Sequence, residues 1–83
     1  MYELEYTKKA EKQLSKLPKD FQLRILKTLE RIKIRPHHFI KSLASSKYYV
    51  LRVRNYRIIL DLRNKKLIIF VVEIGPRKNI YKT

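Results

Sequence analysis

The chain has 83 residues and a formal net charge of +14 at pH 7, because 21 lysines and arginines stand against only seven aspartates and glutamates. A chain of this length builds one hydrophobic core, so residues 1–83 are predicted to form a single domain. The absence of cysteine excludes disulfides, thiolate zinc sites and a cysteine nucleophile.

The sequence contains neither a secretion signal nor a membrane span. Glutamates at positions 3 and 5 stand where a signal peptide needs an apolar run. The longest apolar run, LIIFVV at 67–72, is far shorter than the roughly 20 residues that span a bilayer. We therefore expect a cytoplasmic protein.

Two amphipathic helices are predicted after a short first strand. In YELEYT, residues 2–7, apolar side chains alternate with glutamates, which is typical of a strand with one wet face. Thr7 stands where it can cap a first helix that ends near Pro18. Asp20 stands where it can cap a second helix that runs to about Ile34. Only PKD separates the two helices, so we expect an antiparallel helical hairpin.

Three strands are predicted in the second half of the chain, at 48–54, 57–63 and 66–74. They follow a connector at 35–46, RPHHFIKSLASS, which opens with a helix-stopping proline. Short separations predict an antiparallel meander. The last run, KLIIFVVEI, is apolar at consecutive positions, which is typical of a strand covered on both faces in the sheet interior.

The order of these elements predicts an α+β domain. A strand, two helices and three strands (β-α-α-β-β-β) place an N-terminal helical hairpin on one face of an antiparallel sheet. The opposite face of the sheet is then at least partly open.

The positive charge is concentrated where this open face is predicted. Residues 35–83 hold twelve basic and two acidic side chains, whereas residues 1–34 hold nine and five. Such a field attracts polyanions, and composition leaves RNA, DNA, an anionic membrane and an acidic protein open as partners.

Alternation along the strands predicts where individual arginines point. Leu51 and Val53 share one face of their strand, so Arg52 and Arg54 share the other. A core on the helix side of the next strand would consist of Ile58, Leu60 and Leu62. Arg57 then joins Arg52 and Arg54 on the open face.

The segment GPRKNIY adds polar groups at the end of the last strand. Its Arg77, Lys78 and Tyr81 stand where a tail can fold across the open face. We therefore expect one basic patch, made of Arg52, Arg54, Arg57, Arg77 and Tyr81.

Most other site chemistry is missing from the sequence. His37 and His38 are adjacent and have no nearby cysteine or aspartate, so they are predicted to be ordinary loop residues. There is no glycine-rich phosphate loop and no candidate for a Ser-His-Asp triad. The sequence predicts no metal site and no cofactor.

The segments LASSKYYVLRVRNYRIILDL and KLIIFVVEIGPRKNIY resemble the RelE/ParE superfamily of type II toxins over nearly the whole chain. The resemblance consists of a hydrophobic strand with alternating basic residues, a Tyr56-Arg57 pair that opens the next strand, and Gly75-x-Arg77 with a nearby Tyr81. Val50 departs from it, because some RelE members have a lysine there that is implicated in catalysis.

The resemblance implies a small antiparallel sheet with two N-terminal helices and one of two activities. RelE-branch members are ribosome-dependent endoribonucleases that cut mRNA in the A site and are neutralised by an antitoxin. ParE-branch members inhibit DNA gyrase and generally lack the C-terminal arginine and tyrosine, so Arg77 and Tyr81 favour the nuclease branch. A plain basic RNA-binding module is the third alternative.

For the nuclease branch, the resemblance implies a set of site residues. The catalytic residues are Arg52, Arg57, Arg77 and Tyr81. The basic residues around them, Arg54, Lys47 and Lys78, are predicted to bind RNA. The implied partners are a RelB-type antitoxin of acidic or amphipathic character, rRNA, and the ribosome with mRNA in its A site, with no membrane among them.

These residues suit RNA cleavage without a metal, in which a 2′-OH attacks its own 3′-phosphate. A guanidinium offers a rigid fork of donors that matches the extra negative charge of the phosphorane, so Arg52, Arg57 and Arg77 are assigned to clamp it. The candidates for the base are three: Tyr81, Lys78 and Lys47. A site of this kind is expected to cut free RNA slowly or not at all.

Overall fold

The computed structural model describes residues 1–76 of the chain, which form two α-helices and one five-stranded sheet. The elements in chain order are β1 (Glu3–Tyr6), α1 (Lys8–Ser15), α2 (Lys19–Ile32), a 3₁₀ turn (Pro36–His38), β2 (Lys41–Ser42), β3 (Tyr49–Val53), β4 (Tyr56–Arg63) and β5 (Ile68–Pro76). None of the described helices combines the length and hydropathy needed to cross a membrane.

The first helix of the hairpin has its predicted N-cap, whereas the second helix does not. The Thr7 hydroxyl accepts a hydrogen bond of 3.1 Å from the backbone N–H of Ala10, which makes Thr7 the N-cap of α1. Helix α2 is preceded by Pro18 rather than capped by Asp20, whose carboxylate lies in the first turn, where it complements the helix dipole. The Gln22 side chain donates to the carbonyl of Leu17 at 2.7 Å and closes the connection between the helices.

The predicted α+β fold, with the helical hairpin on one face of the sheet, is confirmed, and the sheet is mixed. Its strand order is β1-β5-β4-β3-β2. The pairs β2–β3, β3–β4 and β4–β5 are antiparallel, which confirms the meander. Strand β1 pairs with β5 in parallel, with Leu4 opposite Ile69. Local periodicity predicts that β1 is a strand but not which strand it joins, so this parallel pair was not foreseen.

A two-residue strand lies in the segment that was predicted to be a connector. In β2, Lys41 is the register partner of Val50 in β3, and Ser42 is that of Tyr49. The backbone N–H of Leu43 donates to the carbonyl of Tyr48 at 2.9 Å and closes this hairpin. Two residues are too few to show an alternating pattern, so the sequence gives little sign of the strand.

The main core lies between the helices and one face of the sheet. Helix residues Ala10, Ile25, Leu29 and Ile32 pack there against Ile69, Val71 and Ile74 of β5. The predicted core residues of β3 and β4 are also buried in this cluster: Leu51, Val53, Ile58, Leu60 and Leu62. Alternation therefore predicted the buried face of both strands correctly.

A bulge in β5 lets more of its residues reach this core. Ile59 pairs with Glu73, whereas the next residue, Leu60, pairs with Val71, so Val72 has no cross-strand partner. The extra residue allows Val71 and Ile74, which are three apart, to be buried in the same cluster. The bulge explains why the run LIIFVV shows no simple alternation.

Tyr6 of β1 gives the fold a predictable response to alkaline pH. Burial, together with the negative charge of Glu30, raises the pKa of its phenol above the usual value of 10.0. The folded state therefore holds the phenolic proton more tightly than the unfolded chain does, and stability present below about pH 10 is lost as the pH rises through the folded-state pKa.

We predict that Tyr6→Phe removes this part of the alkaline loss. The melting temperature should be measured for both proteins from about pH 8 to about pH 11. The wild type should fall more steeply than Tyr6→Phe over the upper part of this range. Parallel curves would contradict the prediction.

Candidate nucleic-acid interface

Two arginines stand side by side on the open face of the sheet. Arg52 of β3 is the direct register partner of Arg57 of β4, and Arg57 in turn pairs with Gly75 of β5. Like charges directly opposite each other destabilise a sheet. The exposed guanidinium of Arg52 at this position is suited to binding an anionic ligand.

The two arginines differ in their surroundings. Arg52 is exposed, whereas only 1 % of Arg57 is accessible to solvent. Gly75 has no side chain, which leaves room for the side chain of its cross-strand partner, Arg57, to lie close to the sheet. A buried guanidinium is costly unless it is compensated, and Arg57 is engaged in an interaction within the protein. Alternation correctly predicts the face of the sheet on which Arg57 lies, but it does not predict that the side chain is buried.

The sequence predicts that Arg54 continues the alternation of β3, and this prediction is wrong. The strand ends at Val53, which pairs with Tyr56, so Arg54 and Asn55 form a two-residue hairpin loop. Arg54 has a φ of 56°, a left-handed conformation that such tight turns require at this position and that is costly for a residue other than glycine. Its side chain therefore leaves from the loop at the tip of the hairpin.

Lys47 lies at the opposite end of β3 from that loop. Its ammonium group is 5.4 Å from the centre of the Tyr48 ring, a cation–π contact at an exposed site. Arg52 follows Lys47 by five positions, which correspond to about 17 Å at the rise of an extended strand. Lys47 and Arg52 are therefore not brought together at one phosphate.

Three of the predicted site residues, Arg77, Lys78 and Tyr81, lie outside the described residues. Strand β5 is described as far as Pro76, which pairs with Tyr56. The roles assigned to the three remain predictions.

An apolar patch separates two charged ends of the open face. Val50 and Ile59 are buried there, with Leu43, Tyr48 and Val72 packed against them. Beyond the patch, Arg63 contacts the Asp61 carboxylate at 3.1 Å and lies 5.6 Å from the centre of the Phe70 ring. Because Asp61 compensates the charge of Arg63, the strongest attraction for an anion lies at the Arg52 end.

Two side chains next to Arg52 are not among the site residues predicted from the sequence. Phe39 and Lys41 line a cleft of about 110 Å³ together with Val50 and Arg52. Ile40, between them, is buried in the main core, so its two neighbours point to the open face. The alternation in FIK could have revealed both residues, but the short motif lies in a segment that was read as a connector.

The histidines lie at the edge of this region. His37 makes an edge-on ring contact with Tyr49 at 5.8 Å, and its Nε2 is 3.4 Å from the side-chain oxygen of Asn64. Among residues 1–76, no three histidine, aspartate or glutamate side chains gather in a metal-binding arrangement. The two histidines belong to the 3₁₀ turn and are exposed.

Solved structures of RelE toxins share this fold. The RelBE2 toxin–antitoxin complex of Mycobacterium tuberculosis superposes with a TM-score of 0.85 at 18 % identity, over 92 % of this chain and 98 % of that one. The isolated RelE toxin of E. coli superposes with a TM-score of 0.80 at 23 % identity, over 99 % of this chain and 93 % of that one. The archaeal RelE–RelB complex of Pyrococcus horikoshii superposes with a TM-score of 0.79 at 25 % identity, over 92 % of this chain and 94 % of that one.

Sequence comparison gives the family directly. A search of curated proteins found no match. The family model described as the ParE toxin of the type II toxin–antitoxin system parDE matches residues 4–81. That match covers nearly the whole chain and agrees with the RelE-like fold, so the protein belongs to the ParE toxin family and, with it, to the RelE/ParE superfamily of type II toxins.

Proposed function

We propose that this toxin is a ribosome-dependent endoribonuclease that cleaves mRNA in the A site, without a metal, and so inhibits translation in the cytoplasm. The observation that supports the proposal is the pair Arg52 and Arg57, placed side by side on an open sheet face. Within residues 1–76, Arg52 forms no ion pair with a carboxylate, so its guanidinium is available to a phosphate.

In the proposed mechanism the two arginines have different tasks. Arg57 is buried and already engaged within the protein, so its side chain is held in one orientation, and in the proposed mechanism its donors pass from that interaction to the phosphorane. Arg52 is exposed and can close on the phosphate as the RNA arrives. Arg77 would complete the clamp, and Tyr81 would accept the 2′-OH proton or stack on a base. As the 2′-oxygen bonds to phosphorus, the bond from phosphorus to the 5′-oxygen of the next nucleotide breaks; that oxygen takes up a proton, and a 2′,3′-cyclic phosphate remains. Lys78 and Lys47 are the alternative bases, and Lys47 would need to act through a different nucleotide from Arg52.

The proposed dependence on the ribosome follows from what the site lacks. A histidine or a carboxylate of matched pKa supplies typically 10²- to 10⁴-fold through proton transfer, and neither is among the assigned residues. Holding the 2′-OH in line with its phosphate can make up for this loss. The ribosome would supply that geometry, and the net charge of +14 would supply affinity for rRNA that falls steeply with salt.

A RelB-type antitoxin is the proposed protein partner. Complexes of RelE with RelB are among the solved structures that share this fold. A chain with so large a positive charge suits an acidic or amphipathic partner, which would cover the row that contains Arg52 and Arg57.

Primer extension on a defined mRNA in a purified translation system tests the nuclease proposal. We expect breaks inside codons when ribosomes are present and an intact message when they are left out. Chelation of Mg²⁺ after the ribosomes have been loaded and crosslinked should leave the cleavage unchanged. Equal rates on naked and ribosome-bound RNA would contradict ribosome dependence, and an intact message in both samples would contradict the nuclease.

Inhibition of DNA gyrase is the second candidate, because the matching family model is the one named for ParE. This candidate predicts an intact message. It also predicts that gyrase no longer introduces negative supercoils into relaxed plasmid when the protein is added. Alanine at Arg77 or Tyr81 should abolish growth arrest by the nuclease and preserve growth arrest by a gyrase inhibitor that acts through its helices. A plain RNA-binding module would cause no growth arrest.

A further inference from the structure

We propose that the cleft formed by Phe39, Lys41, Val50 and Arg52 is a nucleotide subsite, in which the Phe39 ring stacks on an unpaired RNA base next to the phosphate held by Arg52 and Arg57. The inference deepens the proposed function and rests on it for the identity of the RNA. It adds Phe39 and Lys41 to the residues that contact substrate.

The edge of the sheet and the turn before it bring these side chains together. Lys41 is the register partner of Val50, and Arg52 is the next residue of β3 on the same face. Phe39 ends the 3₁₀ turn that precedes β2, and it lines the same cleft as Lys41 and Arg52. Arg52 is in turn the register partner of Arg57, so the cleft lies beside the arginine pair.

The ring of Phe39 is not used by the protein core. Its exposed fraction is 45 %, whereas Ile40 beside it is buried in the main cluster. Among the described aromatic contacts, its partner is the His38 ring, at 6.4 Å and a tilt of 51°. Single exposed apolar residues are common and have no meaning alone. The position of this one, in a cleft with two cations, is what carries the inference.

The chemistry of the cleft selects its occupant. Its volume of about 110 Å³ admits a single planar ring, since sites for larger ligands start at roughly 300 Å³. Val50 forms an apolar floor, and Lys41 and Arg52 supply positive charge at the rim. Within residues 1–76 neither cation forms an ion pair with a carboxylate. An aromatic ring beside unpaired cations is the arrangement that proteins use to bind single-stranded nucleic acid.

Two properties of the toxin would follow from this subsite. The base beside the cleavage point would be read through its stacking strength, so purines should be preferred there over pyrimidines. Lys41 would contact the backbone phosphate of the same nucleotide, and its loss should lower the salt slope of RNA binding by about 0.7, the value of one phosphate contact on a single strand.

The first test measures stacking without requiring cleavage. The chain contains six tyrosines but no tryptophan, so Phe39→Trp places the only tryptophan in the cleft, and excitation at a wavelength that tyrosine does not absorb reports on it alone. Oligoadenylate should quench its emission, whereas an abasic oligomer of the same length and inorganic polyphosphate should not. Equal quenching by polyphosphate, or no quenching by oligoadenylate at saturating concentration, would overturn the subsite. Circular dichroism establishes that the variant is folded.

The second test measures cleavage on the ribosome under single-turnover conditions. Phe39→Ala should lower the rate by about 5- to 150-fold, the range expected for one lost base stack, and Phe39→Tyr should retain it. Leu23→Ala removes an exposed apolar side chain on the helix side and should leave the rate unchanged. Full activity of Phe39→Ala would contradict the subsite but not the nuclease proposal. A wild type that cuts nothing would sink the nuclease, and the fluorescence test would still decide the subsite.

Discussion

Replacing Arg57 with alanine should lower the rate of mRNA cleavage on the ribosome by about 10²- to 10³-fold, the usual loss when one pre-organised donor to a transition state is removed. Arg57 is expected to matter this much because it is buried beside Gly75, so its donors are held in place before the RNA arrives. Expression of the variant without antitoxin should no longer arrest growth. Arg57→Lys should recover only a small part of the rate, since an ammonium group cannot form the two-pronged contact.

Arg63 provides a matched control on the same strand and the same face. It lies six residues from Arg57 and is paired with Asp61 at the other end of the apolar patch. Arg63→Ala removes the same charge and should keep most of the cleavage rate. Urea denaturation of each variant separates lost chemistry from lost stability. Similar losses in Arg63→Ala and Arg57→Ala, at equal stability, would show that bulk charge rather than position decides activity.

Replacing Leu29 with alanine should destabilise the fold by about 2–5 kcal/mol, the cost of a cavity left by a buried leucine. Leu29 has 0 % exposure and lies where α2 packs on the sheet. For a domain of this size, such a loss lowers the melting temperature by more than about 10 °C. Urea denaturation measures it directly, and the slope against urea concentration should be unchanged.

Leu23 in the same helix is the control for Leu29. It is 58 % exposed, so Leu23→Ala should change stability by no more than about 0.5 kcal/mol. Equal effects at the two positions would contradict the packing of α2 described above. Because small domains are only marginally stable, Leu29→Ala is also expected to weaken growth arrest at raised temperature by unfolding the toxin. Loss of growth arrest by Arg57→Ala should occur at any temperature.

Alternation along the strands was sufficient to predict the two faces of the sheet. Leu51 and Val53 are buried and Arg52 is exposed, because successive side chains of a strand point to opposite faces whatever the strand pairs with. Thr7 was also predictable as a cap, since its hydroxyl acts on a backbone N–H only three residues away. Features that depend on nearest neighbours in sequence are therefore readable from the sequence.

Features that depend on distant neighbours were not readable in this way. Arg57 is buried beside a residue 18 positions away, Gly75, and Lys41 lies in the cleft with Arg52 because β2 adds to the edge of β3. The turn at Arg54 ends the alternation because β3 and β4 meet after only two residues, a register that neither strand specifies alone. Each of these outcomes belongs to a pair of segments, so a single segment cannot predict it.

The position of β5 also determines when a growing polypeptide can become active. β5 follows all other described strands in sequence but lies between β1 and β4, so β1 has no partner in the sheet until residues 68–76 exist. The same strand supplies Ile69, Val71 and Ile74 to the core. Contacts that span more than 60 residues must form late, because loop-closure entropy opposes them. We therefore expect the complete sheet and core to form only after the ribosome has synthesised β5.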